Sequence, residues 1–173
     1  MKTLKLFVCA LAVFTISACS SDDDSSTPVV ELTIENLTGT YELTFYEDFY
    51  EETETASNGS VVVIETETCV GDTFTNAIVT FNSDGTFSTS GNFREVCDFT
   101  ANGQTTTEND IVPFDSSGSY SANDTSRTIA LNGFVNNVVL FDGTNLYLTS
   151  LEIETIDDET YRFETEVRFR KQN

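Results

Sequence analysis

Carboxylates are the side chains of this 173-residue chain best placed to do chemistry. Glu65/Glu67, Glu152/Glu154 and Glu164/Glu166 each stand two apart, the spacing that puts both acids on one face of a strand. Two carboxylates suffice for glycoside hydrolysis, one as acid and the other as base or nucleophile. Glu164 and Glu166 are interleaved with Arg162, Arg168 and Arg170 like a surface charge ladder, and all three pairs read as solvated outer faces. Histidine is absent, which excludes Ser-His-Asp and Cys-His catalysis and histidine-based zinc or iron sites. No glycine-rich phosphate loop or dinucleotide fingerprint is present. The stretch "NSDGT" (82–86) offers oxygens from Asn82 and Asp84, yet calcium takes about six to eight oxygen ligands, so a hairpin turn is the better reading. The expectation is a protein that is not an enzyme, with no catalytic residue, metal or cofactor.

The cysteines carry more information. A short basic start, "MKTLK", precedes "LFVCALAVFTI" (6–16), which is apolar apart from Thr15. That run has the length of a secretory h-region and falls short of the roughly 20 residues a membrane-spanning helix needs. The following "ISAC" resembles a bacterial lipobox. The resemblance implies that residues 1–18 are a signal peptide and that Cys19 becomes the first residue of the mature chain, carrying diacylglycerol on sulfur and an acyl chain on its amine. Several acyl chains, each contributing about 0.8 kcal/mol per buried methylene, make such an anchor effectively permanent. Cys9 leaves with the signal peptide, so Cys69 and Cys97 remain, either as a disulfide or as two buried thiols. Export to an oxidising compartment favours the bridge, which would contribute roughly 3–4 kcal/mol by chain entropy.

Behind Cys19 stands "SSDDDSSTP", a solvated tether that cannot bury apolar surface. It resembles the lipoprotein export signal of Bacteroidota, which implies an outer-membrane protein facing the outside; a plain acidic linker would leave it facing the periplasm. The expected domains are the signal peptide (1–18), the lipidated cysteine and tether (19–36) and one folded unit (37–173). Net charge is −21, and without Lys2 and Lys5 the balance is 6 basic against 29 acidic residues, or −23. Such a surface repels nucleic acid and anionic headgroups, so the membrane is a partner only through the anchor at Cys19.

Strands must position whatever site the body holds. Fourteen Phe and six Tyr accompany abundant Thr and Val, a mix that suits sheets. Five dipeptides, Asn58-Gly59, Asp84-Gly85, Asn102-Gly103, Asn132-Gly133 and Asp142-Gly143, supply tight-turn chemistry between β-prone segments. "TGTYELTFY" and "TYRFETEVRFR" alternate with period two, and further strands are expected near 60–69, 76–82, 86–97, 117–122, 127–132, 135–141 and 145–156. Leu43, Tyr46, Phe49 and Tyr50 also fit helical spacing, so a helical turn at "EDFYEETE" is an open alternative. The expected fold class is all-β: about eight to ten antiparallel strands that must close into a barrel or pack as two sheets, because an open sheet of that size would leave long edges exposed. The sequential hairpins favour an up-and-down meander closed into a barrel.

"LTGTYELTFYE", "AIVTFNSDGTFSTSG", "GSYSANDTSRTIAL" and the Arg-rich final strand together resemble the lipocalin-like domain of small Bacteroidota lipoproteins. The resemblance implies a calycin-type β-barrel with a central cavity. The calycin G-x-W stands here as Gly39-Thr40-Tyr41, with Tyr in place of Trp, and the family's capping arginine falls to Arg168 or Arg170. Tyr41, Phe45, Phe81, Phe87, Phe163 and Phe169 are the inward aromatics expected to bind a small apolar ligand, or else to fill the core. Two rival expectations stand beside the ligand carrier: an envelope interaction or accessory protein acting through its outer surface, and a carbohydrate-active enzyme.

Overall fold

The computed structural model describes residues 30–172, and the expected lipobox, Cys19 and acidic run lie outside them. A short helix, α1 (Ile34–Leu37), precedes nine strands: β1 (Gly39–Thr55), β2 (Val61–Phe81), β3 (Thr86–Ala101), β4 (Gln104–Pro113), β5 (Ser117–Asn123), β6 (Thr128–Leu131), β7 (Phe134–Phe141), β8 (Asn145–Ile156) and β9 (Glu159–Lys171). All pairings are antiparallel, in the order β2-β1-β9-β8-β7-β6-β5-β3-β4 with β2 also on β3, so the sheet closes on itself. The barrel expected from the sequence is the fold observed.

Each of the five Gly-containing dipeptides lies between consecutive strands. Asn102 (φ 51°) with Gly103 (φ 71°), and Asn132 (φ 50°) with Gly133 (φ 89°), make two-residue turns whose positive φ matches the twist of a hairpin.

The closure is uneven. Residues Thr86–Ser88 at the start of β3 pair with β5, whereas Asn92–Ala101 pair with β4. Pairing of β7 with β8 stops at Asn137↔Thr149, while β8 runs on to Ile156 along β9. One half of the molecule is therefore an eight-stranded ring without β4. The other half is an open sheet, β4-β3-β2-β1-β9-β8, whose edges are β4 and the end of β8.

Several expectations require correction. The helical alternative at "EDFYEETE" is not taken, because β1 pairs with both β2 and β9 along this stretch and a helix would leave both neighbours unpaired. The segments 60–69 and 76–82 are one strand, β2, interrupted by bulges at Gly71/Thr73 and Thr75/Ile78. Gly91 faces the second bulge at φ 100°, where a Cβ would lie 2.1 Å from the Asn76 carbonyl oxygen, so only glycine fits. β4 was not foreseen: "QTTTENDIVP" is exposed along nearly its whole length and shows no apolar alternation.

The folded unit also reaches back beyond residue 37, to Val30. Leu32 and Leu37 are fully buried in the core of the ring half. Thr33 caps α1 by accepting from the Asn36 N–H at 3.2 Å, and the Leu32 N–H donates to Asp124 Oδ1 at 2.8 Å. Arg127 joins the same knot, donating to Asp124 (3.1 Å) and to the Val30 carbonyl (3.4 Å). Residues 30–36, expected as tether, thus close one end of the barrel.

Candidate functional site

Parity along β9 decides which side chains enter the barrel. Phe169 is buried and Val167 packs on the core, so Lys171, Thr165 and Phe163 share the inner face, while Arg162, Glu164, Glu166, Arg168 and Arg170 face outward. The cation capping the Tyr41 ring is therefore Lys171, with Nζ 5.4 Å from the ring centroid and donating to the Asn36 carbonyl at 3.3 Å. Neither Arg168 nor Arg170 does this. Arg168 lies outside over Phe45 (4.4 Å) and Tyr147 (5.2 Å), and Arg170 pairs with Glu42 at 3.6 Å.

The six expected ligand-binding aromatics separate accordingly. Phe81, Phe87 and Phe169 come together on the wall of a cavity of about 400 Å³ inside the ring half, with Val79, Leu148 and Val167. Phe114 and Phe134 complete it, and Phe134, 75% exposed, stands at its rim. Polar groups on the wall, Thr89, Ser116, Asn132, Asn136 and Thr165, are all uncharged. Tyr41 is fully buried below, edge-on to Phe81 at 5.8 Å. Its hydroxyl has no hydrogen-bond partner among the described residues, and burial pushes its pKa up to about 12.

Phe45 is a correction: the bulge between Leu43 and Phe45 shifts the alternation, so Phe45 pairs with Arg168 and faces outward. Phe163 is inward but sits in the open half against Tyr50 (centroids 5.1 Å apart) and remains 41% exposed. The sequence missed Phe114 and Phe134. Phe134 directly follows the Asn132-Gly133 turn, and its pairing with Leu131 was legible from that turn alone.

Above the cavity the inner face changes character. In the open half, register places Asp48, Tyr50 and Glu52 of β1 beside Glu65, Glu67 and Cys69 of β2. Glu95 and Cys97 of β3 and Glu108 and Asp110 of β4 continue the same face, and Glu152 and Glu154 of β8 join it from the other side. No lysine or arginine among the described residues lies on it. Glu65/Glu67 and Glu152/Glu154, expected on solvated outer faces, thus point inward; only Glu164/Glu166 lie outside, bonded to Arg162 and Arg168.

A recess of about 390 Å³ in this acidic face is lined by Tyr46, Asp48, Glu67, Glu95, Asp110 and the Cys69–Cys97 disulfide, whose S–S distance is 2.08 Å. The bridge joins directly opposed residues of β2 and β3. Glu95 titrates above the ordinary carboxylate range, first because burial disfavours its charge and then because Asp48, Glu67 and Asp110 crowd it; the Tyr46 hydroxyl partly offsets this. Glu67, Cys69 and Cys97 are close enough to suggest a metal site, but the two sulfurs are bonded to each other and one carboxylate is left. At "NSDGT", Asp84 Oδ1 accepts from the Thr86 N–H (3.0 Å) and hydroxyl (2.6 Å), so its carboxylate serves the turn.

No protein-family model and no curated protein matches the sequence. Among solved structures the chain is similar to Ail, the attachment invasion locus protein of Yersinia pestis, with 9% identity, 78% of this chain and 99% of that chain covered, and a TM-score of 0.25. A second structure of Ail, in complex with the heparin analogue sucrose octasulfate, gives 8% identity, the same coverage and a TM-score of 0.24. The barrel is established by the strand pairing, in which β2 closes on β3.

Proposed function

We propose that this chain is a non-enzymatic envelope lipoprotein, anchored to the outer membrane through Cys19 and facing outward, whose barrel holds a small, mostly apolar molecule. The cavity carries the ligand half of this reading. Its volume of about 400 Å³ falls in the range of small-molecule sites, its walls are aromatic and aliphatic, and its few polar groups are uncharged orienting groups. A ring of eight strands is just wide enough either to be filled by its own side chains or to enclose one ligand, and here it is incompletely filled. The anchor half rests on the sequence alone: the h-region, the lipobox-like "ISAC" and the Ser/Asp run behind it.

Native mass spectrometry of the protein carrying Cys19→Ala tests the ligand half. A reproducible adduct that denaturation removes, and that is lost when Leu131→Trp fills the cavity, is the expected result; a bare mass in repeated preparations from the native envelope contradicts it. For the anchor half, Cys19→Ala is expected to move the protein from the membrane to the soluble fraction. Retention of that variant on membranes would refute lipidation at Cys19.

One observation favours a second reading, an accessory protein acting through its surface. The outer end of β8 is an unpaired edge carrying exposed Leu151 (55%) and Ile153 (59%), and an edge of this kind can accept a partner strand. Glu152 and Glu154 alternate with them and act against indiscriminate pairing.

A further inference from the structure

The cavity and the acidic recess are neighbours, and their contact says what kind of molecule the cavity can take. Thr165 lines the cavity, and its hydroxyl donates to Asp48 Oδ1 at 2.7 Å. Asp48 in turn lines the recess. Two residues further along, Val167 of the cavity wall pairs with Tyr46 of the recess wall. A molecule whose body fills the cavity and whose head points toward the open half therefore presents that head to Asp48, Glu67, Glu95 and Asp110.

We propose that the cavity selects cationic amphiphiles, molecules with an apolar body and an amine or quaternary ammonium head, and rejects fatty acids. This rests on the ligand-carrier reading and adds the sign of the head group to it. Three observations support it. The walls of the cavity hold no charge, so selection by charge must come from beside it. The neighbouring inner face holds carboxylates from β1, β2, β3, β4 and β8 and no cation among the described residues, because parity sends Arg162, Arg168 and Arg170 of β9 to the opposite face and the inward Lys171 is held in the ring half, over Tyr41 and on the Asn36 carbonyl. Glu95 is displaced upward first by burial and then by the charges of Asp48, Glu67 and Asp110: one more carboxylate placed there would suffer both penalties, and a cation would relieve the repulsion. Tyr46 and Tyr50 add aromatic faces to the recess side, a surface suited to quaternary ammonium groups.

Three probes with one tail test this: decyltrimethylammonium, decanol and decanoate, each titrated below its micellar concentration into the protein carrying Cys19→Ala at low salt. The expected result is one-to-one binding in which the ammonium is at least about tenfold tighter than the alcohol and the carboxylate is weakest, with the ammonium advantage shrinking as salt is raised. Asp48→Asn keeps an oxygen to accept from Thr165 while removing the charge; it is expected to narrow the ratio of ammonium to alcohol and leave alcohol binding unchanged. Equal binding of all three probes, or tightest binding of decanoate, overturns the charge selection and leaves the carrier reading standing. Absence of binding by any probe, or ammonium binding that survives both Leu131→Trp and Ser116→Trp in variants that still melt cooperatively, overturns the carrier reading and the selection with it.

Discussion

β1 contributes Tyr41 and Leu43 to a buried interior in the ring half, and further along the same strand the inward positions are held by Asp48, Tyr50 and Glu52. β2 repeats the change, with Val79 and Phe81 at one end and Glu65 and Glu67 at the other. The backbone pairing is continuous through both regions, so hydrogen bonding does not distinguish them. What differs is what covers the inner face. In the ring half the opposite wall of the barrel does so, with Leu32 and Leu37 closing one end. In the open half β7 does not reach, β4 and β8 end as edges, and water is the neighbour. A sheet face without an opposite wall gains little from apolar residues, so acids predominate there beside the Tyr50–Phe163 pair. Alternation persists along the strand while the solvent it addresses changes.

The carboxylates follow the same division. Asp124 and Asp142, in turns of the ring half, titrate below the ordinary range because each accepts backbone N–H bonds, from Leu32 and from Asn145 and Thr144 respectively. Glu95 of the open half moves the other way, first because burial disfavours its charge and then because Asp48, Glu67 and Asp110 crowd it. Local hydrogen bonds set the first group; burial first, and then the neighbouring acids, set the second.

The largest test of this division compares two phenylalanines. Phe81→Ala removes a fully buried ring packed against Tyr41 and Tyr120 and should cost about 3–5 kcal/mol in urea unfolding. Phe163→Ala removes a ring that is 41% exposed and packs chiefly on Tyr50, and should cost about 1 kcal/mol. Comparable losses from the two variants would mean that the open half is part of the same cooperative core, and the division would fail.

Sequence reasoning reached the ring half better than the open half, and parity explains why. The Gly-containing turns gave the hairpins, and apolar alternation gave Tyr41 and Leu43 of β1 and Val167 and Phe169 of β9 as inward residues of the ring, where burial makes the alternation legible. Phe45 was misplaced because a bulge changes parity without leaving a sequence mark as plain as glycine. β4 was invisible because an exposed edge strand has no apolar side to alternate. The inward turn of Glu65/Glu67 and Glu152/Glu154 was missed for a related reason: glutamates on alternate positions look the same whether the face they occupy is outside the barrel or inside an uncovered part of it. The disulfide was legible as a pair once Cys9 and Cys19 were assigned to the leader and anchor, although the sequence left two free thiols as the alternative.

A smaller effect reads the cost of the Glu95 charge on the inner face of the open half. Because Glu95 has a higher pKa folded than unfolded, the folded state holds more protons than the unfolded state in the window above the ordinary glutamate value of about 4.3. Stability therefore falls as pH rises through that window, and at neutral pH the charged Glu95 is a net cost. Glu95→Gln removes that cost and should raise neutral-pH stability by about 0.5 kcal/mol, a figure kept small because the group is only partly buried and solvent screens its neighbours. At pH 3, where Glu95 is largely protonated in both states, the variant and the parent should melt together. Melting curves of both proteins at the two pH values decide the matter. An equal gain at both would assign the effect to packing or propensity, and a loss at neutral pH would mean that the Tyr46 hydroxyl's bond to Glu95 outweighs the repulsion from Asp48, Glu67 and Asp110. Only a gain confined to neutral pH fits an inner face on which every further negative charge is unwelcome.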